Sequence, residues 1–254
     1  MMIIRFGTLF AFLALFSACG SSPSVKSDTI RFNALYKKSK AYMERDNPHM
    51  ALRSLIKARQ MQPDHVGILS MLGVAYDKLG HDGKSLNVWQ TAHKLKPKRG
   101  DISHNLGVAL MRQQMLDEAK VAFDNALADP KFADRLETYY NLALIKQRRG
   151  AIREMVADLN KIIQIEPGHI PSHELLADYY RKMRRADLEE KQLRNILKIN
   201  SQRISTLERL ADLYLQSGKR DKAIPLLQRI GAIVPKTAVA KRAELKLEQI
   251  LGNR

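Results

Sequence analysis

A small residue returns at Ser39, Gly73, Gly107, Ala143, Ala177 and Ala211, at separations of 34, 34, 36, 34 and 34 residues. A fixed period of this length restricts the chain to an array of repeated units, each of which buries its apolar face only by stacking on its neighbours. An apolar frame travels with the small residue. Leu72, Gly73 and Tyr76 are followed by Trp89, Ala92 and Pro97. Leu106 and Gly107 are followed by Ala119, Phe123, Ala126 and Pro130, and Leu210, Ala211 and Tyr214 by Ala223, Leu227 and Pro235. The apolar spacing is that of amphipathic helices, and no alternating run suggests a strand.

Two helices approach closely only where a side chain is missing, and Gly73 and Ala92 supply that space for Leu72, Tyr76 and Trp89 to fill. Pro63, Pro97, Pro130, Pro167 and Pro235 are expected to stop the second helix of each unit, because proline lacks an amide donor and restricts the residue before it. Gly80, Gly150 and Gly218 mark the turns between first and second helices. These residues resemble the signature of the tetratricopeptide repeat, a helix-turn-helix unit. The resemblance implies an all-α fold, a right-handed solenoid of six repeats at 32–65, 66–99, 100–133, 136–169, 170–203 and 204–237. The first is weaker, with Lys38 where Leu is usual, and the fifth carries Ser201 in place of the proline. A capping helix is expected over 238–254, covering the last repeat with Ala240, Ala243, Leu247, Ile250 and Leu251 and leaving Lys241, Arg242, Lys246 and Glu248 wet.

Residues 1–18 read as a secretory signal: Arg5 precedes an apolar stretch, Phe6 to Phe16, too short to span a bilayer. Ser17, Ala18 and Cys19 resemble a bacterial lipobox, with Phe16 where Leu is usual. The resemblance implies diacylation of Cys19, which would become the mature N-terminus. Residues 19–31 are then a short tether, small and polar in composition. Gly20 after the cysteine resembles the choice made by lipoproteins sent to the outer membrane, which places the protein on its periplasmic face. The chain has one cysteine, so stability must come from packing rather than disulfides. Its net charge of +17 becomes +16 once the signal is removed, so the repeats themselves are basic.

In this repeat type the first helices line a groove. Repeats two to four place Met71, Val74, Asn105, Val108, Met111, Tyr140, Asn141 and Leu144 there. An apolar floor with flexible methionines suits a docked peptide, and Asn105 and Asn141 resemble the asparagines that grip peptide backbone in this repeat family. Repeats five and six instead present Glu174, Asp178, Arg181, Glu208, Arg209 and Asp212. The carboxylate clamp of chaperone-binding members is absent, since Ser70, Val74, Glu137, Pro171 and Leu175 stand where it needs bases. A basic edge follows the turns of the last three repeats: Arg148 and Arg149, then Arg181, Lys182, Arg184 and Arg185, then Lys219 and Arg220. Such an edge steers anionic partners. Nucleic acid suits the charge but not the export signal, and no aromatic and basic binding module is present.

No catalytic constellation stands out. His169 and His173 are four apart, but Pro171 lies between them and no further ligands follow at metal spacing. A phosphate loop and a nucleophile elbow are both lacking. The expectation is therefore a non-enzymatic binding protein with no cofactor and no metal.

A lipidated cysteine, a short tether and six repeats together resemble the type IV pilus pilotins, the PilF, PilW and Tgl group. The junction Ala128-Asp-Pro-Lys-Phe132, leading through Leu136-Glu-Thr-Tyr-Tyr-Asn-Leu142, resembles the corresponding stretch of those proteins. The resemblance implies a protein client, a secretin subunit, that is helped to the outer membrane and to its multimeric ring, with acyl chains on Cys19 holding the membrane. The alternative is an adaptor lipoprotein of another envelope machine: a tight-adherence pilus, barrel assembly or a murein hydrolase.

Overall fold

The computed structural model describes residues 23–252, so the expected signal segment and Cys19 lie outside the described residues. Among the described residues there are thirteen helices and no strand. The chain divides into two compact units at Leu95. The first holds α1 (Pro23–Glu44), α2 (Pro48–Met61), α3 (Val66–Lys78) and α4 (Asp82–Leu95). The second holds α5 (Gly100–Arg112), α6 (Leu116–Ala128), α7 (Arg135–Arg148), α8 (Ile152–Ile165), α9 (Ile170–Lys182), α10 (Ala186–Ile199), α11 (Ile204–Gln216), α12 (Arg220–Ile233) and α13 (Ala238–Gly252). Within each unit every helix packs on the next one in sequence.

Helix α1 opens at Pro23. Residues 23–31, expected to belong to a flexible tether, are thus helical, and the tether of the sequence reading is shortened accordingly. Each of the five prolines predicted to stop a second helix stands two residues beyond the last helical residue of α2, α4, α6, α8 or α12. Starts are set by side chains as well as by proline. Asn47 Oδ1 accepts the Met50 amide at 3.1 Å, and Nδ1 of His65 and of His169 accept the amides of Ile68 and Ser172, each at 3.2 Å.

The turns between paired helices repeat a single backbone solution. Asp46, Gly80, Gln114, Gly150, Arg184 and Gly218 all have positive φ, between 51° and 75°. At each, the amide two residues past the helix bonds back into the last turn, as in Gly80 N–H to Asp77 O and Arg184 N–H to Arg181 O. Only three of the six are glycine, so only three were visible as turn signals in the sequence.

The small-residue register is the floor of every helix pair. Ser39, Ala143, Ala177 and Ala211 are fully buried, and Gly73 and Gly107 are buried too. Sixteen positions after each stands its counterpart on the second helix: Leu55, Trp89, Phe123, Leu159, Leu193 and Leu227, all buried. Glycine occurs where that counterpart is aromatic, serine or alanine where it is leucine. A methyl built at Gly73 would lie 2.3 Å from the Trp89 ring, and one at Gly107 2.6 Å from Phe123. Volume is therefore shared across each pair, as close packing requires.

At the irregular junction between α6 and α7, Asp129 uses both carboxylate oxygens, accepting Gly100 N–H at 2.8 Å and Lys131 N–H at 2.9 Å. Those bonds hold its carboxyl below the usual carboxylate range. The turn delivers Phe132 into the core against Gly100, where a methyl would lie 2.5 Å from its Cβ. Helix α13 buries Ala240, Ala243 and Ile250, but Leu251, expected to join them, is half exposed.

Candidate partner-binding surface

In the first unit Met71 and Val74 are half-buried on α3, one turn apart. Asp77, one turn further along α3, is turned to α4, where it accepts Ser85 Oγ–H at 2.6 Å and Trp89 Nε1–H at 3.1 Å. In the second unit Val108 on α5 and Tyr140, Asn141 and Leu144 on α7 are half-buried. Met111 is buried, only 6% exposed, so it serves the core rather than the surface. Asn105 folds onto its own helix, donating from Nδ2 to Asp101 O at 2.8 Å, which leaves its Oδ1 as the acceptor for a peptide amide. Tyr140 sets its ring edge on His169 at 5.4 Å, and burial pushes its hydroxyl pKa up. These chains offer half-exposed apolar surface on the first helices of repeats two to four, presented separately by the two units.

The charged half of the expected groove is paired with itself. Arg203 meets Glu174 at 2.6 Å, Arg209 meets Asp178 at 2.5 Å and the buried Glu189 at 2.8 Å, Arg242 meets Glu208 at 3.0 Å, and Lys246 meets Asp212. Most of these pairs link one first helix to the next, and α13 supplies the final two cations. The sequence showed the charges but not the pairing, because partners lie 20 to 34 residues apart.

The basic edge is likewise partly consumed. Arg148 donates to Met111 O at 3.1 Å, satisfying a carbonyl in the last turn of α5. Arg149 pairs with Asp117, Arg181 approaches Asp178 at 3.8 Å, and Arg185 pairs with Asp187 at 3.2 Å. Lys219 reaches Glu190 at 3.5 Å and lies over the Tyr214 ring. Lys182, Arg184 and Arg220 are exposed.

His169 and His173 are both buried and tied into the fold. His169 caps α9 through Nδ1 and approaches Glu137 at 3.4 Å, while His173 contacts Gln192 Oε1 at 2.7 Å and Pro167 O at 3.2 Å. Their work is structural. Among the described residues no cluster of three or more His, Cys, Asp or Glu could hold a metal, and no helix is long and apolar enough to cross a membrane.

Tetratricopeptide-repeat family profiles match residues 136–169 and residues 206–236. No curated protein sequence matches the chain. Among solved structures it is similar to PilF of Pseudomonas aeruginosa, at 16% identity and a TM-score of 0.65, over 87% of this chain and 99% of that one. It is similar to PilW, a widely conserved type IV pilus biogenesis factor, at 18% identity and a TM-score of 0.70, over 85% of this chain and 98% of that one. A tetratricopeptide-repeat protein of Parabacteroides merdae matches at 18% identity and a TM-score of 0.63, over 86% of each chain. The fold is thus an all-helical array of tetratricopeptide type. Proteins of this kind are generally non-catalytic scaffolds for protein partners, and no catalytic family is indicated.

Proposed function

We propose that the chain is a lipid-anchored scaffold that serves a type IV pilus secretin as its pilotin, helping the secretin reach the outer membrane and assemble. The observation that carries this reading is the match to PilF and PilW over 99% and 98% of those chains, nearly the whole of each fold. The lipobox-like Ser17-Ala18-Cys19 and the pilotin-like junction at 128–142 support it from the sequence. Acyl chains on Cys19 supply the membrane affinity, two chains being what stable anchoring takes. Met71, Val74, Asn105, Val108, Tyr140, Asn141 and Leu144 contact the client, the apolar side chains as anchors and the two asparagines as backbone ligands. The paired charges of α9, α11 and α13 tie these three helices to one another at the other end of the array.

The test is a blot for heat-resistant secretin multimers in cells lacking the gene and in cells carrying wild type or Cys19→Ala. The pilotin reading expects loss of multimers with monomer retained in the deletion, and transfer of the C19A protein to the soluble envelope fraction. Normal multimers in the deletion would instead favour an adaptor of another envelope machine.

A further inference from the structure

Between the start of α7 and the end of α8 lies a cleft of about 530 Å3 that shares only Glu137 with the groove positions. Its apolar floor is open: Tyr139 is 39% exposed and Ile165 68%, the latter far above what a residue in a packed helix pair needs. Three carboxylates stand around these two side chains, Asp134, Glu137 and Glu166, all exposed. One guanidinium, that of Arg135, also lines the cleft, but it is turned toward α6, donating to Leu127 O at 2.9 Å and more weakly to Asp129 O at 3.5 Å. Glu137 approaches the Nε2 of His169 at 3.4 Å. The local balance is acidic on a chain whose formal net charge is +17. One rim carboxylate comes from the place where the period lengthens from 34 to 36, since Asp134 lies between the third and fourth repeats.

We propose that this cleft is a second docking site, for an extended cationic segment of a protein partner in which Lys or Arg alternates with branched aliphatic side chains. The aliphatic side chains cover Tyr139 and Ile165 while the cations meet the carboxylate rim. The sign of the rim selects this occupant: an acidic segment, or an anionic lipid surface, would be repelled. The site is independent of the secretin reading, since its test uses purified protein and no secretin.

The probe is a fluorescein-labelled peptide of sequence Gly-Leu-Lys-Ile-Arg-Leu-Gly, with Gly-Leu-Glu-Ile-Glu-Leu-Gly as its charge-reversed partner, followed by fluorescence anisotropy at low salt. The expected result is saturable binding of the cationic peptide alone, weakened about tenfold by Ile165→Ser. The pair Asp134→Asn with Glu166→Gln, whose exposed side chains leave the fold intact, should weaken it at least threefold and flatten its salt dependence. Equal binding of both peptides, binding unchanged in both variants, or no binding of the cationic peptide overturns the proposal. So does sedimentation showing a dimer of the unliganded protein that I165S abolishes, because the cleft would then be filled by a second copy.

Discussion

At Gly107 a single hydrogen stands where a methyl would lie 2.6 Å from the Phe123 ring, and both residues are buried. Gly107→Ala should therefore destabilise by about 1–3 kcal/mol through overpacking, and Phe123→Leu should destabilise by leaving a void. Together the two changes reproduce the alanine and leucine pairing seen at Ala143 and Leu159, so the double variant should be at least ~1 kcal/mol more stable than additivity allows. Urea unfolding of the four proteins measures this, and strict additivity would reject the shared-volume account. A second residue carries a pH signature. His104 Nδ1 lies 2.7 Å from Thr138 Oγ1, whose own hydrogen goes to Asp134 O, so the imidazole is the donor. Burial lowers the pKa of His104 from its ordinary 6.5. The folded state thus binds fewer protons than the unfolded chain as the pH falls through 6.5, and stability that is complete above that pH is lost on acidification until the folded pKa is passed. Between pH 7.5 and 5.5 the urea midpoint of wild type should fall further than that of His104→Asn, which keeps a donor for Thr138; equal falls would contradict the assignment. The glycine register was legible in the sequence because it recurs. The role of His104 was not legible there, since nothing local reveals that Thr138, a full repeat away, accepts its hydrogen bond.

The helix hairpin is the element on which the chain is built, and its turn is the weakest part of the design. Six first helices end at a residue of positive φ, a region that costs an L residue roughly 1–2 kcal/mol and glycine almost nothing. Arg184 sits there at φ 55° with an exposed side chain, and Gly150 at 75° with nothing within 4 Å of an added methyl. Arg184→Gly should then stabilise by about 0.5–1 kcal/mol and Gly150→Ala destabilise by about 1 kcal/mol, both through backbone conformation alone. Thermal unfolding of the two variants checks the signs, and a destabilised R184G would show that the turn is held by side-chain contacts. The proline stops were readable because each acts within two residues of its helix end. The glycine turns were equally local. Asp46, Gln114 and Arg184 take the same conformation only because the hairpin around them demands it, and their own residue types do not announce it. The early start of α1 at Pro23 was missed for a related reason: small polar residues suit a tether and a helix start equally well.

Across the whole molecule, composition alone misdescribes the surface. A chain of net charge +17 suggests a uniformly basic body, yet Arg203 and Arg209 of repeats five and six are spent on acids of neighbouring helices, Arg209 alone meeting Asp178 and Glu189. Such pairs span 20 to 34 residues and lie beyond any window in which helical periodicity is read. The repeat fold was legible except at its ends, while the division of its surface into apolar patches, paired ladder and acidic cleft was not, because that division depends on residues a repeat or more apart in sequence. The central claim is that the half-buried apolar surface of the first helices holds a secretin. The most direct measurement is complementation of the deletion with Val108→Glu/Leu144→Glu, its thermal midpoint checked against wild type and its secretin multimers blotted after heating. The account predicts a folded, membrane-bound variant that leaves the secretin monomeric. Multimers restored to the wild-type level by that variant would contradict it.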